Sequence, residues 1–291
     1  MSTEPNSGIG TTLVKIPDPS TFNLKIHDFH CHIHKELGDN QTQFGISSMC
    51  IMPAWKTLET YDFKNNPPND FTNGDAYAEK LNRISGDFNG WQGDIYKFLP
   101  VDFAKTPAEF DEYIERNEIA GIKLHPLQGF DITRETLDPY IKSAIERDLI
   151  LYVHTDWVPS TEWKQVKNRM PETFSKIAGM YPEIPIIMGH SGFNDSYVNI
   201  WKILKKYPNV YAETSFAPTP QELEKVIYKV DPKRVVFGSS YPLSGTAGEV
   251  MKVLKMHRVS EAQKLAVFYD NAIRLLGDKP YIRAGESRGQ E

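Results

Sequence analysis

Leu24-Lys25-Ile26-His27-Asp28-Phe29-His30-Cys31-His32-Ile33-His34 holds four of the chain's eight histidines, and its period decides how the rest is read. Apolar residues lead into the segment, so it reads as a strand rather than a solvated or tag-like histidine cluster. Alternate residues of a strand share a face, which sends His30 and His32 out side by side and Cys31 the other way. Neutral imidazole is the commonest protein ligand for a divalent transition metal. Two imidazoles leave most of a coordination sphere to be completed from elsewhere in the chain.

Working outward, short apolar runs recur, each followed by a stretch of helical period. The runs predict eight strands, at Lys25–Ile33, Ile46–Pro53, Ile95–Asp102, Gly121–His125, Leu149–His154, Ile186–His190, Val210–Thr214 and Val235–Ser239. Helices are predicted at Ala108–Asn117, Leu137–Arg147, Glu172–Met180, Tyr197–Lys206, Gln221–Lys229, Gly248–Met256 and Ala262–Leu276. Strand and helix in alternation predict an α/β fold of the (β/α)8 TIM-barrel kind, with residues 24–277 as one domain. An open doubly wound sheet is the alternative, but no glycine-rich phosphate fingerprint follows the first strand. Residues 1–23 read as an N-terminal extension and 278–291 as a flexible C-terminal tail. Long loops are expected after strand two (Trp55 to Trp91) and strand five (Asp156 to Arg169), on the face where barrels place their chemistry.

The net charge of -5 carries no long run of one sign, which argues against a nucleic-acid partner. No stretch approaches the roughly 20 apolar residues of a membrane span, and the N-terminus has neither a basic start nor an apolar core. A cytoplasmic protein with a small-molecule substrate is the expectation. A homodimer is compatible with the sequence, though no segment declares an interface. Cys31 and Cys50 are expected as buried, reduced thiols.

Closing a barrel brings the C-terminal ends of its strands to one rim. Those ends read His30 and His32, Lys123 and His125, His154 with Asp156, His190, Glu213, and Ser239-Ser240-Tyr241. A lone strand histidine is usually a satisfied core residue. Repetition at successive strand ends points instead to a metal site formed from His30, His32, His154 and His190. Trp157, Phe193, Phe130 and Tyr241 suggest a partly apolar pocket. Lys123, His125, Trp157 and Tyr241 are assigned to substrate binding.

The ordered series Asp28-Phe29-His30-Cys31-His32, Gly121-Ile122-Lys123-Leu124-His125-Pro126, His154, Gly189-His190-Ser191-Gly192, Phe237-Gly238-Ser239-Ser240-Tyr241-Pro242 and Asp270-Asn271-Ala272-Ile273-Arg274-Leu275-Leu276 resembles the amidohydrolase superfamily. More narrowly it resembles the branch containing aminocarboxymuconate-semialdehyde decarboxylase, across residues 24–277. The resemblance implies a divalent metal, most often zinc, held by His30, His32 and His154. It places His190 beside the reacting water. It also exposes a departure. The family pattern on strand eight is Gly-Ser-Asp-Tyr-Pro, and here Ser240 stands for the aspartate that binds metal and takes a proton. A serine hydroxyl is a poor ligand while protonated and no general base near neutral pH. Glu213, Asp156 and Lys123 are the candidates for the vacated role. In some superfamily members a strand-four lysine is carboxylated to bridge two ions. The leading expectation is metal-assisted hydrolysis of an ester, lactone or amide, with His190 and a rim carboxylate handling charge and protons. Non-oxidative decarboxylation of a small aromatic or unsaturated acid, and a catalytically retired ligand-binding barrel, are the alternatives.

Overall fold

Runs such as Ile186-Ile187-Met188 are apolar on both faces, as strands sandwiched between a core and a helix layer must be. In the computed structural model, which describes residues 24–54, 71, 73–84, 88–125, 128–155, 172–192, 199–217 and 219–285, they form a parallel sheet in chain order. Its strands are β1 (Ile26–Cys31), β2 (Ile46–Ile51), β3 (Asp94–Pro100), β4 (Gly121–Leu124), β5 (Ile150–His154), β6 (Ile186–Gly189), β7 (Val210–Glu213) and β8 (Val235–Val236). The sheet curls until β1 meets the chain leaving β8. Phe29 N donates to Phe237 O at 2.8 Å, Ser240 N to His30 O at 2.6 Å and His32 N to Tyr241 O at 2.9 Å. The expected (β/α)8 barrel is the fold.

Alternation sorts the strands into two layers. Phe29, Cys50, Phe98, Ile150, Tyr152 and Ile187 fill the barrel interior. Ile26, Cys31, Met49, Leu99, Val153 and Met188 face the helices. Cys31 and Cys50 are free, buried and on opposite layers, so they cannot pair. Strict alternation from Phe29 would turn His30 outward. The β1–β2 register shifts between Asp28 and Cys31, and this irregularity puts Phe29 and His30 on the same side.

The helices are α1 (Leu37–Gln43), α2 (Gly74–Ile84), α3 (Pro107–Asn117), α4 (Arg134–Glu146), α5 (Glu172–Met180), α6 (Ile200–Lys206), α7 (Pro220–Lys229), α8 (Thr246–Leu254), α9 (Glu261–Leu265) and α10 (Asn271–Leu276). Pro107 and Pro220 sit in the first turns of α3 and α7, where the missing N–H costs nothing. Thr106 and Glu109 form a reciprocal capping box at α3.

Three expectations are corrected. The segment between Trp55 and Trp91 is not all loop, because Gly74–Ile84 is helical. The helix expected across Ala262–Leu276 is split by a π turn, Ala266–Asp270, which leaves Val267 O to accept Phe237 N at 3.0 Å. The tail beyond Gly277 is not simply frayed: β9 (Ile282–Arg283) pairs antiparallel with β3. The loop expected after strand five, with Asp156, Trp157 and Trp163, lies outside the described residues, as does Phe193. No helix among the described residues is long and apolar enough to cross a membrane.

Candidate metal centre

Five histidines from four strand ends meet at the rim. His30 and His32 come from β1 and the residue after it, His125 follows β4, His154 ends β5, and His190 follows β6. His190 (φ 59°) and Ser191 (φ 48°) hold left-handed backbone. The turn they form folds His190 back over the barrel mouth. The rings run in a chain of contacts: His32 to His30 at 4.8 Å between centroids, His30 to His190 at 5.0 Å, His190 to His154 at 4.8 Å and His154 to His125 at 4.1 Å. All five are buried. His27 is not among them; inside the barrel its ring nitrogens lie 2.8 Å from Ser48 Oγ and 3.3 Å from Cys50 Sγ. His34 is half-buried, its ring 5.8 Å from that of Tyr241.

One nitrogen of most rings is engaged below the rim. His32 Nδ1 lies 3.0 Å from Met52 O. A carbonyl only accepts, so that nitrogen carries the proton and Nε2 keeps its lone pair. His30 Nδ1 faces Tyr152 Oη at 2.8 Å and Glu213 Oε2 at 3.3 Å. His190 Nδ1 faces Ser215 Oγ at 2.8 Å. His154 Nε2 is buried with no hydrogen-bond partner among the described residues.

Glu213, fully buried on β7, is the anchor beneath. Its Oε2 accepts from Ser215 Oγ at 2.8 Å, Tyr152 Oη at 3.1 Å and His190 N at 3.1 Å, and its Oε1 from Ser215 N at 2.5 Å. Gly238 makes room for this carboxylate, since an added Cβ would collide with Glu213 Oε1. Glu213 is therefore not presented to the open side of the rings, contrary to its expected role as a rim base. Among the described residues, the ligand atoms that gather within 4.8 Å of one another belong to His30, His190 and Glu213. His32 and His154, expected to complete a triad with His30, lie in the ring but not in that set. The gathered atoms include Oε2 and Nδ1 atoms already engaged by Tyr152 and Ser215. The atoms able to take a cation without displacing these hydroxyls are the opposite, Nε2, nitrogens.

Lys123 sits inside the ring, its Nζ 3.4 Å from His30 Nε2 and 3.0 Å from Pro53 O. Burial holds the pKa of all five rim histidines well below the usual imidazole value, and the lysine charge pushes each the same way. Their neutral form is the one burial favours. Ser240 adopts left-handed backbone (φ 53°), and its buried Oγ has no partner among the described residues. Tyr241 is half-buried beside it. Asp156 and Trp157 are outside the described residues.

Sequence reasoning missed Tyr152, Ser215, Asp28 and Ser239. Tyr152 was within reach, since it lies two residues before His154 and so shares its face. Asp28 accepts Ser239 Oγ at 2.6 Å, Ser239 N at 2.8 Å and His30 N at 3.1 Å, tying β1 to the chain after β8. Burial lifts its pKa to about 7.

A (β/α)8 barrel with imidazoles crowding the C-terminal rim is the architecture of the amidohydrolase superfamily. The chain belongs to it: the amidohydrolase family model matches residues 68–277. That match starts beyond β1 and β2, so His30 and His32 stand on the structure rather than on the family alignment. Solved structures extend the likeness to 87 % of the chain. An amidohydrolase II covers all of its own length at 14 % identity and a TM-score of 0.64. The 5-carboxyvanillate decarboxylase of Sphingomonas paucimobilis gives 12 % identity over 87 % of this chain and 99 % of its own, with a TM-score of 0.61. A dihydroxybenzoic acid decarboxylase from Polaromonas, with bound manganese and the inhibitor 2-nitroresorcinol, gives 14 % identity over 87 % and 97 %, with a TM-score of 0.58. At these identities the likeness is one of fold. No curated protein sequence matches the chain.

Proposed function

We propose that this enzyme is a metal-dependent hydrolase that attacks the carbonyl of a small ester, lactone or amide. The observation that carries the proposal is His154 Nε2, a buried ring nitrogen without a partner among the described residues, in a ring of neutral imidazoles. A buried polar atom left unpaired costs about 1–3 kcal/mol, and a cation at the Nε2 side removes that cost. The family resemblance implies His30, His32 and His154 as the ligands, and an all-imidazole set with an open position suits zinc. Their ligand atoms do not all lie within 4.8 Å of one another, so holding a cation would require these side chains to draw together. When bound, the metal supplies Lewis acidity and lowers the pKa of its water.

His190 carries the proton. With Nδ1 turned to Ser215, its Nε2 is the free acceptor for a proton of the attacking water. Burial disfavours the imidazolium, which drives that proton on to the leaving group. This places at His190 the base role that Ser240 cannot fill. Lys123 Nζ receives an anionic substituent of the substrate, with His125 and Tyr241 as further contacts. Lys123 Nζ lies 3.4 Å from His30 Nε2, so a cation held at that nitrogen would require the lysine to withdraw.

Decarboxylation of a small acid is the second reading, favoured by the buried Lys123 cation as a carboxylate receiver. The distinguishing assay offers esters, lactones, amides and aromatic acids to the zinc-loaded and manganese-loaded protein. Hydrolysis consumes water and releases acid; decarboxylation releases carbon dioxide. Elemental analysis of wild type and His30→Ala accompanies it. The wild type retains about one metal per chain, and His30→Ala loses metal and turnover together. A wild type that retains no metal, or a variant fully active in chelator, overturns the proposal.

A further inference from the structure

We infer that Glu213 is a positioning residue that fixes the tautomers of two rim histidines through two hydroxyl relays, Tyr152 to His30 and Ser215 to His190. The geometry assigns every proton. Glu213 Oε2 lies 3.1 Å from Tyr152 Oη and 2.8 Å from Ser215 Oγ. A carboxylate offers no proton, so each hydroxyl spends its single hydrogen there. The same hydroxyl oxygens lie 2.8 Å from His30 Nδ1 and 2.8 Å from His190 Nδ1. Having given up their hydrogens, they can only accept, so each Nδ1 is the protonated nitrogen. His30 Nδ1 also lies 3.3 Å from Glu213 Oε2 itself and 3.4 Å from Ser215 Oγ, and the carboxylate asks for the same proton. Both Nε2 atoms then carry lone pairs.

The other side of His30 supports this independently. A lysine ammonium is donor-only, and Lys123 Nζ lies 3.4 Å from His30 Nε2. An Nε2–H there would face a second donor. The carboxylate is itself held by two backbone donors. His190 N donates to Oε2 at 3.1 Å and Ser215 N to Oε1 at 2.5 Å, while Gly238 leaves the space. One fixed anion on β7 thereby orients imidazoles from β1 and from the turn after β6. Carboxylate partners of this kind set which nitrogen a histidine offers to a metal or a proton.

The inference shares its residues with the proposed function but not its test, because tautomers are read on metal-free protein. The experiment is long-range 1H–15N NMR of chelator-treated protein labelled with 15N-histidine, in wild type, Tyr152→Phe, Ser215→Ala and Glu213→Gln. In wild type, His30 and His190 show protonated-type Nδ1 and unprotonated-type Nε2 shifts. Tyr152→Phe leaves His190 unmoved and shifts the His30 signals less than Glu213→Gln does, because Glu213 Oε2 still faces His30 Nδ1 at 3.3 Å. Ser215→Ala moves chiefly the His190 signals, with a smaller shift at His30, whose Nδ1 lies 3.4 Å from Ser215 Oγ. Glu213→Gln moves both. His27, whose ring nitrogens face Ser48 Oγ and Cys50 Sγ rather than the relay, stays unchanged and reports an intact fold. An Nε2–H tautomer at either ring in wild type overturns the inference, as does a Glu213→Gln protein with intact reference signals and both rings unmoved. Should Glu213→Gln fail to fold, the wild-type and single-relay spectra still decide. Loss of the metal reading by elemental analysis leaves these spectra as they are.

Discussion

Ser240 shows how much one side chain changes the chemistry of this rim. Its Oγ is buried and has no partner among the described residues, and its left-handed backbone (φ 53°) is one that aspartate tolerates better than most residues. A carboxylate there would add a charged ligand to a set of neutral imidazoles. Ser240→Asp is therefore expected to hold zinc against a competing chelator about tenfold or more tightly, the scale on which ligand environment acts. Ser240→Ala should leave affinity within about twofold of wild type. Chelator competition checks both, and an unchanged Ser240→Asp would place the metal away from β8. The same residue separates readings of the enzyme. With no carboxylate at this position, the proposed mechanism assigns proton transfer to His190, whose Nε2 is the acceptor the relay leaves available.

At the scale of elements, the seam between β1 and β8 decides whether the histidines share a site at all. β8 proper is two residues long, so the ladder there is short and side chains complete it. Asp28 takes both the backbone and the hydroxyl hydrogen of Ser239. Ser239→Ala removes one of these from a buried carboxyl, and a loss of about 1–3 kcal/mol in urea denaturation is expected. A loss below about 0.5 kcal/mol would mean the backbone bonds close the barrel unaided. The strands were legible in the sequence because burial on both faces writes them as continuous apolar runs. Helix α1 was not. Leu37–Gln43 is almost wholly polar and starts at Glu36 without a side-chain cap, so neither period nor cap announces it. Helix α2 was hidden in a segment whose Asn65-Asn66-Pro67-Pro68 reads as loop. The rim histidines were legible as a repeat at strand ends. The role of Glu213 was not, since it depends on Tyr152, His30 and His190 arriving from different parts of the chain. The register shift in β1 that turns His30 inward leaves no mark on composition.

For the whole molecule, gathering so many imidazoles in a buried rim ties folding to pH, and the sign can be worked out. Burial takes the pKa of His27 from 6.5 down to about 3 and depresses those of His30, His32, His125, His154 and His190 in the same direction. Below pH 6.5 the unfolded chain binds protons at these positions while the native protein does not. Each group then removes about 1 kcal/mol of stability per pH unit as pH falls. Asp28 works the other way. Its pKa rises from 3.8 to about 7, so between those values the native state holds a proton the unfolded chain has released, and falling pH favours folding. Six histidines oppose one aspartate, and the net effect below pH 6.5 is loss. Urea midpoints of chelator-treated protein should therefore drop steadily from pH 7 to pH 5, and drop more steeply with zinc present, because protons compete with the metal for the same nitrogens. A midpoint that rises over this range would mean that Asp28 outweighs the imidazoles, and that the rim histidines are solvated enough to protonate in the folded protein. Such a rim could not offer neutral ligands to a metal at the pH where the measurement is made.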